Sequence, residues 1–209
     1  MTHLAQITLD FATVTRLHIH DAYDWHQLAW QCFPGRNGRQ RDFLTRLDRQ
    51  PEGFRLLIVS PIEPVQPDWC PREPECWKSR PIPETYFTRR HYAFRLCANP
   101  TRKVAVQNLD GSFKKNGRRV PLGTREELVA WISRKGEQGG FSVDEDTLRT
   151  FSRGREYFEK NDMRGLHSAA EFQGVLTVTD PRRFHDTFTH GIGSAKAFGF
   201  GLLVIAPTA

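Results

Sequence analysis

The 209-residue sequence has no apolar run long enough to cross a bilayer, which would take about 20 predominantly apolar residues. Its opening residues, MTHLAQITLDF, have neither the basic start nor the apolar stretch of a secretory signal. Together these absences predict a cytoplasmic protein with no membrane partner. Cysteine is sparse. Cys32, Cys70, Cys76 and Cys97 are irregularly spaced and form no C-x-x-C pair, which argues against a zinc knuckle and, in a reducing compartment, against a disulfide framework. Also missing are the GK[ST] of a Walker loop, the strand–G-x-G-x-x-G–helix order of a dinucleotide fold and the H-E-x-x-H of a zinc hydrolase.

Acidic residues are short relative to basic ones: 24 against 30, a formal net charge of +6 and a pI near 9.4. A polyanionic partner fits such a balance, and so does an ordinary basic surface. The distribution is more informative. Residues 102–125 carry Arg102, Lys103, Lys114, Lys115, Arg118, Arg119 and Arg125 against the single acid Asp110. Residues 149–164 interleave Arg149, Arg153, Arg155, Lys160 and Arg164 with Phe151, Tyr157 and Phe158. Cations contact phosphates and aromatic rings stack on bases, so the mixture suits nucleic acid. Alternating Phe and Arg also occurs in half-buried strands.

Periodicity predicts a strand at LAQITLDF, then a helix capped by Asp21, with Trp25, Leu28, Ala29 and Cys32 on one face. FPGRNG ends that helix. Strands follow at DFLTRLD and GFRLLIVSP. Residues 61–85 hold seven prolines and read as extended, with room for one edge strand at CWKSR. The second half opens with the alternating strand HYAFRLCANP and a basic loop or hairpin over 101–123. Thr124 and Glu127 form a capping box before a helix faced by Leu128, Trp131 and Ile132, which Gly139 and Gly140 end. Strands are expected around 147–157 and FQGVLTVTD. Asp180 and Pro181 start a last helix with Phe184 and Phe188 on one face, and GLLVIAP closes the chain as a strand. The order predicts an α+β protein of two tandem ferredoxin-like βαββαβ units, residues 1–88 and 89–209.

Three clusters carry candidate chemistry. Tyr23 and His26 share a helix face, beside or away from the apolar stripe. His18, His20, Asp21 and His26 offer a metal-ligand alternative without a recognised zinc spacing. Gly191, Gly193, Gly199 and Gly201 flank Ser194 and Lys196; such a loop can approach a phosphate closely or simply allow tight helix–sheet packing.

The stretches DAYDWHQLAW, YAFRLCANPTRKV and GVLTVTDPRRFHDTFTHGIGSAKAFGFGLLVIAP resemble the CasE family, the CRISPR-associated endoribonucleases of type I-E systems within the RAMP superfamily. The resemblance spreads over nearly the whole chain. It implies two ferredoxin-like domains and metal-independent cleavage of precursor CRISPR RNA at the base of the repeat hairpin, with no cofactor. It implies partners too: the repeat hairpin, the other Cascade subunits and, only through that complex, target DNA. His26 matches the family's cleaving histidine and Tyr23 the tyrosine one turn earlier. Some relatives carry a further lysine or serine on this helix; AWQCFPGR has neither, leaving Arg36, Arg39 or Arg41 as the substitute cation. RNA-gripping residues are expected at Arg149, Arg153, Arg155 and Lys160, then Lys114, Lys115, Arg118 and Arg119, with Ser194 and Lys196 at the glycine-rich loop. The competing readings are a hairpin binder that does not cleave and a metal-dependent hydrolase using His18, His20 and His26.

Overall fold

The computed structural model describes residues 1–36, 39–108, 110–114, 117–160 and 163–208, with backbone alone for 155–160 and 163–166. Its architecture is α+β, two ferredoxin-like units in tandem.

In the first unit, β1 (Thr2–Asp10) is central. It pairs with β3 (Gly53–Ser60) on one side and β4 (Trp77–Ile82) on the other, and β2 (Leu44–Gln50) completes the order β2-β3-β1-β4. Every neighbouring pair is antiparallel, as the ferredoxin-like order requires. The proline-bounded edge strand expected at CWKSR is β4. The unit lacks the second helix of a full βαββαβ set. Residues 61–76, where proline denies the helix its backbone donors, make that crossing as turns and extended chain.

Two short helices precede β2. The strand expectation ran one residue too far: Phe11 opens α1 (Phe11–Arg16), and Asp10 accepts from the Thr13 amide at 2.7 Å as its cap. In α2 (Ala22–Trp30), Asp21 accepts from the amides of Tyr23 and Asp24, and the Asp24 carboxylate accepts in return from the Asp21 amide. The predicted stripe faces inward: Trp25, Ala29 and Cys32 are buried against Ile7, Leu56 and Ile58 of the sheet.

In the second unit the order is β11-β5-β10-β8, from β5 (His91–Ala98), β8 (Phe141–Val143), β10 (Met163–Val178) and β11 (Leu203–Pro207). Strand β9 (Arg149–Lys160) pairs with the same edge of β10 as β8 does, so the second strand of the ferredoxin pattern is split in two. The β9–β10 hairpin is longer than the alternation predicted. Strands β6 (Thr101–Val104) and β7 (Arg118–Pro121) pair antiparallel as a separate two-stranded sheet. Thr124 and Glu127 cap α3 (Arg125–Gly139), and Gly140 closes it at φ 77°. Asp180 caps α4 (Pro181–His190).

The units share one apolar core. Leu44, Leu57, Val59 and Ile82 of the first sheet pack in the same cluster as Leu96, Phe172 and Leu203 of the second. Inside that seam lies an ionic clamp. The Arg46 side chain, 1% exposed, reaches Asp48 at 2.9 Å and Glu171 of β10 at 2.7 Å. Arg55 joins at Asp48, and Arg95 and Arg153 at Glu171. No helix among the described residues is long and apolar enough to cross a membrane.

Candidate active site

The α2 helix presents its residues in a fixed order because both ends are tied down: the reciprocal Asp21–Asp24 cap at the start, buried Trp25 and Ala29 along one side. His26 sits about 100° around from Trp25 and is half-buried. Its ring packs 6.0 Å from Phe43, centroid to centroid, and 6.2 Å from Trp30. The Trp30 indole N–H donates to His26 Nε2 at 3.1 Å. An indole nitrogen can only donate, so Nε2 is the lone-pair nitrogen in this contact and the neutral ring carries its proton on Nδ1. Tyr23, also half-buried, lies one turn earlier on the same helix.

Phe43 links this helix to the glycine-rich loop. Arg41 lies over the Phe43 ring, 5.9 Å from its centroid, and donates to the Phe43 carbonyl at 2.8 Å and to the Lys196 carbonyl at 3.0 Å. Burial draws the Arg41 pKa below the usual guanidinium value. Lys196 donates to the His190 carbonyl at 2.7 Å, and its pKa is lowered by burial and then by the charges of Arg41 and Lys135. Arg41 therefore meets the loop at Lys196 over Phe43, the ring on which His26 also packs. Of the other substitute cations expected, Arg36 is paired to Asp42 at 2.8 Å and Arg39 is exposed.

The glycines of the loop serve the backbone first. Gly191, Gly193, Gly199 and Gly201 all have positive φ. A side chain at Gly201 would put its first carbon 2.5 Å from the Ile192 carbonyl, and one at Gly191 would meet Leu44 at 2.9 Å. Ser194 donates to the Asn99 carbonyl across 3.4 Å. Beside it, Lys103, Arg119, Lys135 and Ser194 line a cleft of about 270 Å³.

The expected RNA-gripping residues fall in several places. Arg119 and Ser194 meet in that cleft, and Arg118 is exposed on β7. Lys114 is exposed in the hairpin loop, while Lys115 lies outside the described residues. Arg149 donates to the Asp146 and Leu148 carbonyls. Arg153 reaches Glu171 at 3.6 Å and donates to the Cys97 sulfur at 3.6 Å. The side chains of Arg155 and Lys160 lie outside the described set. His18 and His20 are exposed, their rings 6.4 Å apart, and among the described residues no three His, Cys, Asp or Glu side chains gather at metal-ligand spacing.

Sequence reasoning missed Trp30, four residues after His26 and therefore on its face; that spacing was there to be read. It also missed His167, whose Nδ1 lies 3.0 Å from the Asn99 amide nitrogen and whose ring packs on Phe198 and Phe200. Burial lowers the His167 pKa. No local pattern announces it, because its neighbours come from the far end of the chain.

Fold and site define a tandem ferredoxin-like protein with a helix-borne histidine at a cationic, glycine-rich seam. The chain belongs to the CRISPR-associated protein family, whose model matches residues 2–207. It is 32% identical over 198 residues to the CRISPR system Cascade subunit CasE of Escherichia coli K12, covering 93% of this chain and 96% of that one. It is 31% identical over 184 residues to the CRISPR-associated endoribonuclease Cse3 of Thermus thermophilus, covering 81% and 82%. Thermus thermophilus Cse3, solved bound to an RNA representing a pre-cleavage complex, superposes with a TM-score of 0.71 at 27% identity over 99% of each chain.

Proposed function

We propose that this chain is a metal-independent endoribonuclease that cleaves precursor CRISPR RNA at the base of the repeat hairpin and stays on the 3′ hairpin as a Cascade subunit. Residues 1–88 carry the cleaving helix, and residues 89–209 carry most of the basic residues that grip RNA. The observation that supports this most is the Trp30–His26 contact: a half-buried imidazole of defined tautomer, packed on the same Phe43 ring that Arg41 covers. The relatives, a Cascade subunit and an endoribonuclease, point the same way.

RNA brings its own nucleophile. The 2′-oxygen attacks the adjacent phosphorus, the bond to the 5′-oxygen breaks, and the products are a 2′,3′-cyclic phosphate and a 5′-hydroxyl. One proton leaves the 2′-hydroxyl and one reaches the 5′-oxygen. Histidine titrates near neutrality, so His26 serves one of these transfers, and Tyr23 orients the 2′-hydroxyl or shares its proton. Arg41 and Lys196 offset the negative charge that develops on the non-bridging oxygens of the phosphorane.

The test is cleavage of the host's repeat hairpin in excess EDTA, comparing native RNA with RNA carrying one 2′-deoxy substitution at the scissile nucleotide. Cleavage of native RNA alone is expected, and His26→Ala should bind the hairpin normally while cleaving at least a hundredfold more slowly, the range of lost proton-transfer catalysis (about 10²–10⁴). Cleavage only after adding divalent metal would overturn the reading, as would wild-type rates in His26→Ala.

A further inference from the structure

A second cavity, of about 380 Å³, opens at the N-terminal end of the same helix. Ala22 and Trp25 of α2 and Phe54 of β3 form one wall, and Phe198 and Phe200 of the glycine-rich loop form another. Its rim is polar: His20, Arg49 and Arg153 are exposed there, with Asp21 beside them. Arg153 reaches the rim because β9 bulges: Ser152 faces Ala170 and Gly154 faces Ala169, leaving Arg153 as the extra residue between them. The cavity thus joins aromatic walls to cations at a boundary between the two units.

We propose that this cavity receives one unpaired nucleobase from the strand flanking the scissile phosphodiester, an inference that rests on the RNA-cleaving reading above. Four observations support it. The volume lies in the range of small-molecule sites, large enough for a flat heteroaromatic ring. Aromatic walls with arginines at the mouth are the combination that holds unstacked bases, through stacking and cation–π contact, with phosphate held outside. The position is right as well. Ala22 and His26 are one helical turn apart, about 6 Å, so a base seated against Ala22 leaves a neighbouring phosphate within reach of His26. Finally, Asp21 uses Oδ1 for both capping bonds, leaving Oδ2 to accept from an exocyclic amino group. Adenine, cytosine and guanine offer such a group and uracil does not. Drawing one base out of the stack would swing the sugar–phosphate backbone toward the line that 2′-oxygen attack requires, and pairing this step with cleavage would confine cleavage to strands that have an unpaired base to give.

The test is a thermodynamic cycle on the wild-type protein and Ala22→Leu, which fills the cavity from the first helical position without touching the Asp21–Asp24 cap. Binding is measured with the host's repeat hairpin, 2′-deoxy at the scissile nucleotide to block cleavage, and with one abasic substitution at a time across the unpaired flanks. One abasic position should weaken wild-type binding about tenfold, as expected for losing one stacked base. Ala22→Leu should bind native RNA as weakly as wild type binds that abasic RNA, and should lose nothing further on the abasic RNA. Arg49→Gln, exposed at the rim, should weaken native RNA several-fold and abasic RNA less, which keeps the inference testable if Ala22→Leu melts early. Native binding to both variants at wild-type strength, or abasic losses equal in all three proteins, would overturn it. Wild-type protein that binds no hairpin at all would sink the RNA-cleaving reading along with it.

Discussion

Trp30 and His26 are one turn apart on the same helix, and the indole N–H of the first is aimed at Nε2 of the second at 3.1 Å. The contact selects one of two imidazole tautomers and fixes the ring against Phe43. Replacing Trp30 by Phe keeps the ring packing and removes only the donor. The expected result is a cleavage rate about tenfold lower, with hairpin affinity within about twofold of wild type, because the histidine loses its preset tautomer while no RNA-gripping group changes. Single-turnover cleavage beside a filter-binding Kd checks this. An unchanged rate would mean the indole merely packs.

Arg41 spans two carbonyls, that of nearby Phe43 and that of Lys196, 155 residues further along the chain from Arg41. Both bonds come from one nitrogen, Nη1, and they hold the glycine-rich loop onto the helix side of the seam. Arg41→Ala leaves two part-buried carbonyls without that donor and should cost about 1–3 kcal/mol of stability along with most of the cleavage. Arg41→Lys retains the charge but ends one atom short of Nη1 and loses the planar group that lies over Phe43, so it should recover little. Full recovery of cleavage by Lys would show that charge alone matters there. Thermal melts and cleavage rates on the same preparations distinguish the two.

Most of the fold was legible because its elements carry local signals. The Asp21, Thr124 and Asp180 caps, the Pro181 start and the inward stripes at Trp25, Leu128 and Phe184 each set an element boundary or face within a few residues. What was not legible depends on residues distant in sequence. The length of β9 and β10 follows their pairing with each other from Arg149–Gln173 out to Lys160–Met163. The Arg46–Glu171 clamp joins residues 125 apart, and an arginine within a strand pattern reads as solvent-facing until its partner is known. The site divides the same way: Tyr23, His26, Trp30 one turn later and the loop glycines carry local signals, while Phe43, and the choice of Arg41 among three arginines, acquire meaning only once the loop is seen meeting Arg41.

That clamp also makes stability depend on acid. Burial pushes the Asp48 carboxyl up, but the Arg46 charge and the hydrogen bonds from Arg55 and Arg46 outweigh it, leaving the pKa below the ordinary 3.8. A carboxylate with a depressed folded pKa contributes stability in full above its unfolded value, and loses it as pH falls through the folded one. Urea denaturation of the wild type should therefore show a drop in stability beginning near about pH 4, with Asp48→Asn removing part of that slope. Arg46→Met removes the buried partner of both carboxylates and leaves them only the more exposed Arg55, Arg95 and Arg153, so it should cost about 3–5 kcal/mol at neutral pH. A cost under about 1 kcal/mol would mean that those three arginines, not Arg46, neutralise the seam.

Lys103 and Arg119 face each other directly across the β6–β7 hairpin. Like charges in cross-strand register oppose pairing, so the arrangement is unfavourable for the isolated hairpin. Lys135 and Ser194 line the same cleft, and the Lys135 charge already lowers the pKa of Lys196. A phosphate between the two strands would turn this repulsion into a clamp. Lys135→Ala should accordingly weaken hairpin binding uniformly across repeat sequences and make the slope of log K against log salt shallower by about 0.7–0.9, the share of one phosphate contact. The free protein should change little in stability, or gain slightly as the repulsion eases. Binding titrations at several salt concentrations, run beside thermal melts, separate the two effects. A weakened affinity with an unchanged salt slope would place Lys135 in the loop's packing and not on the RNA backbone.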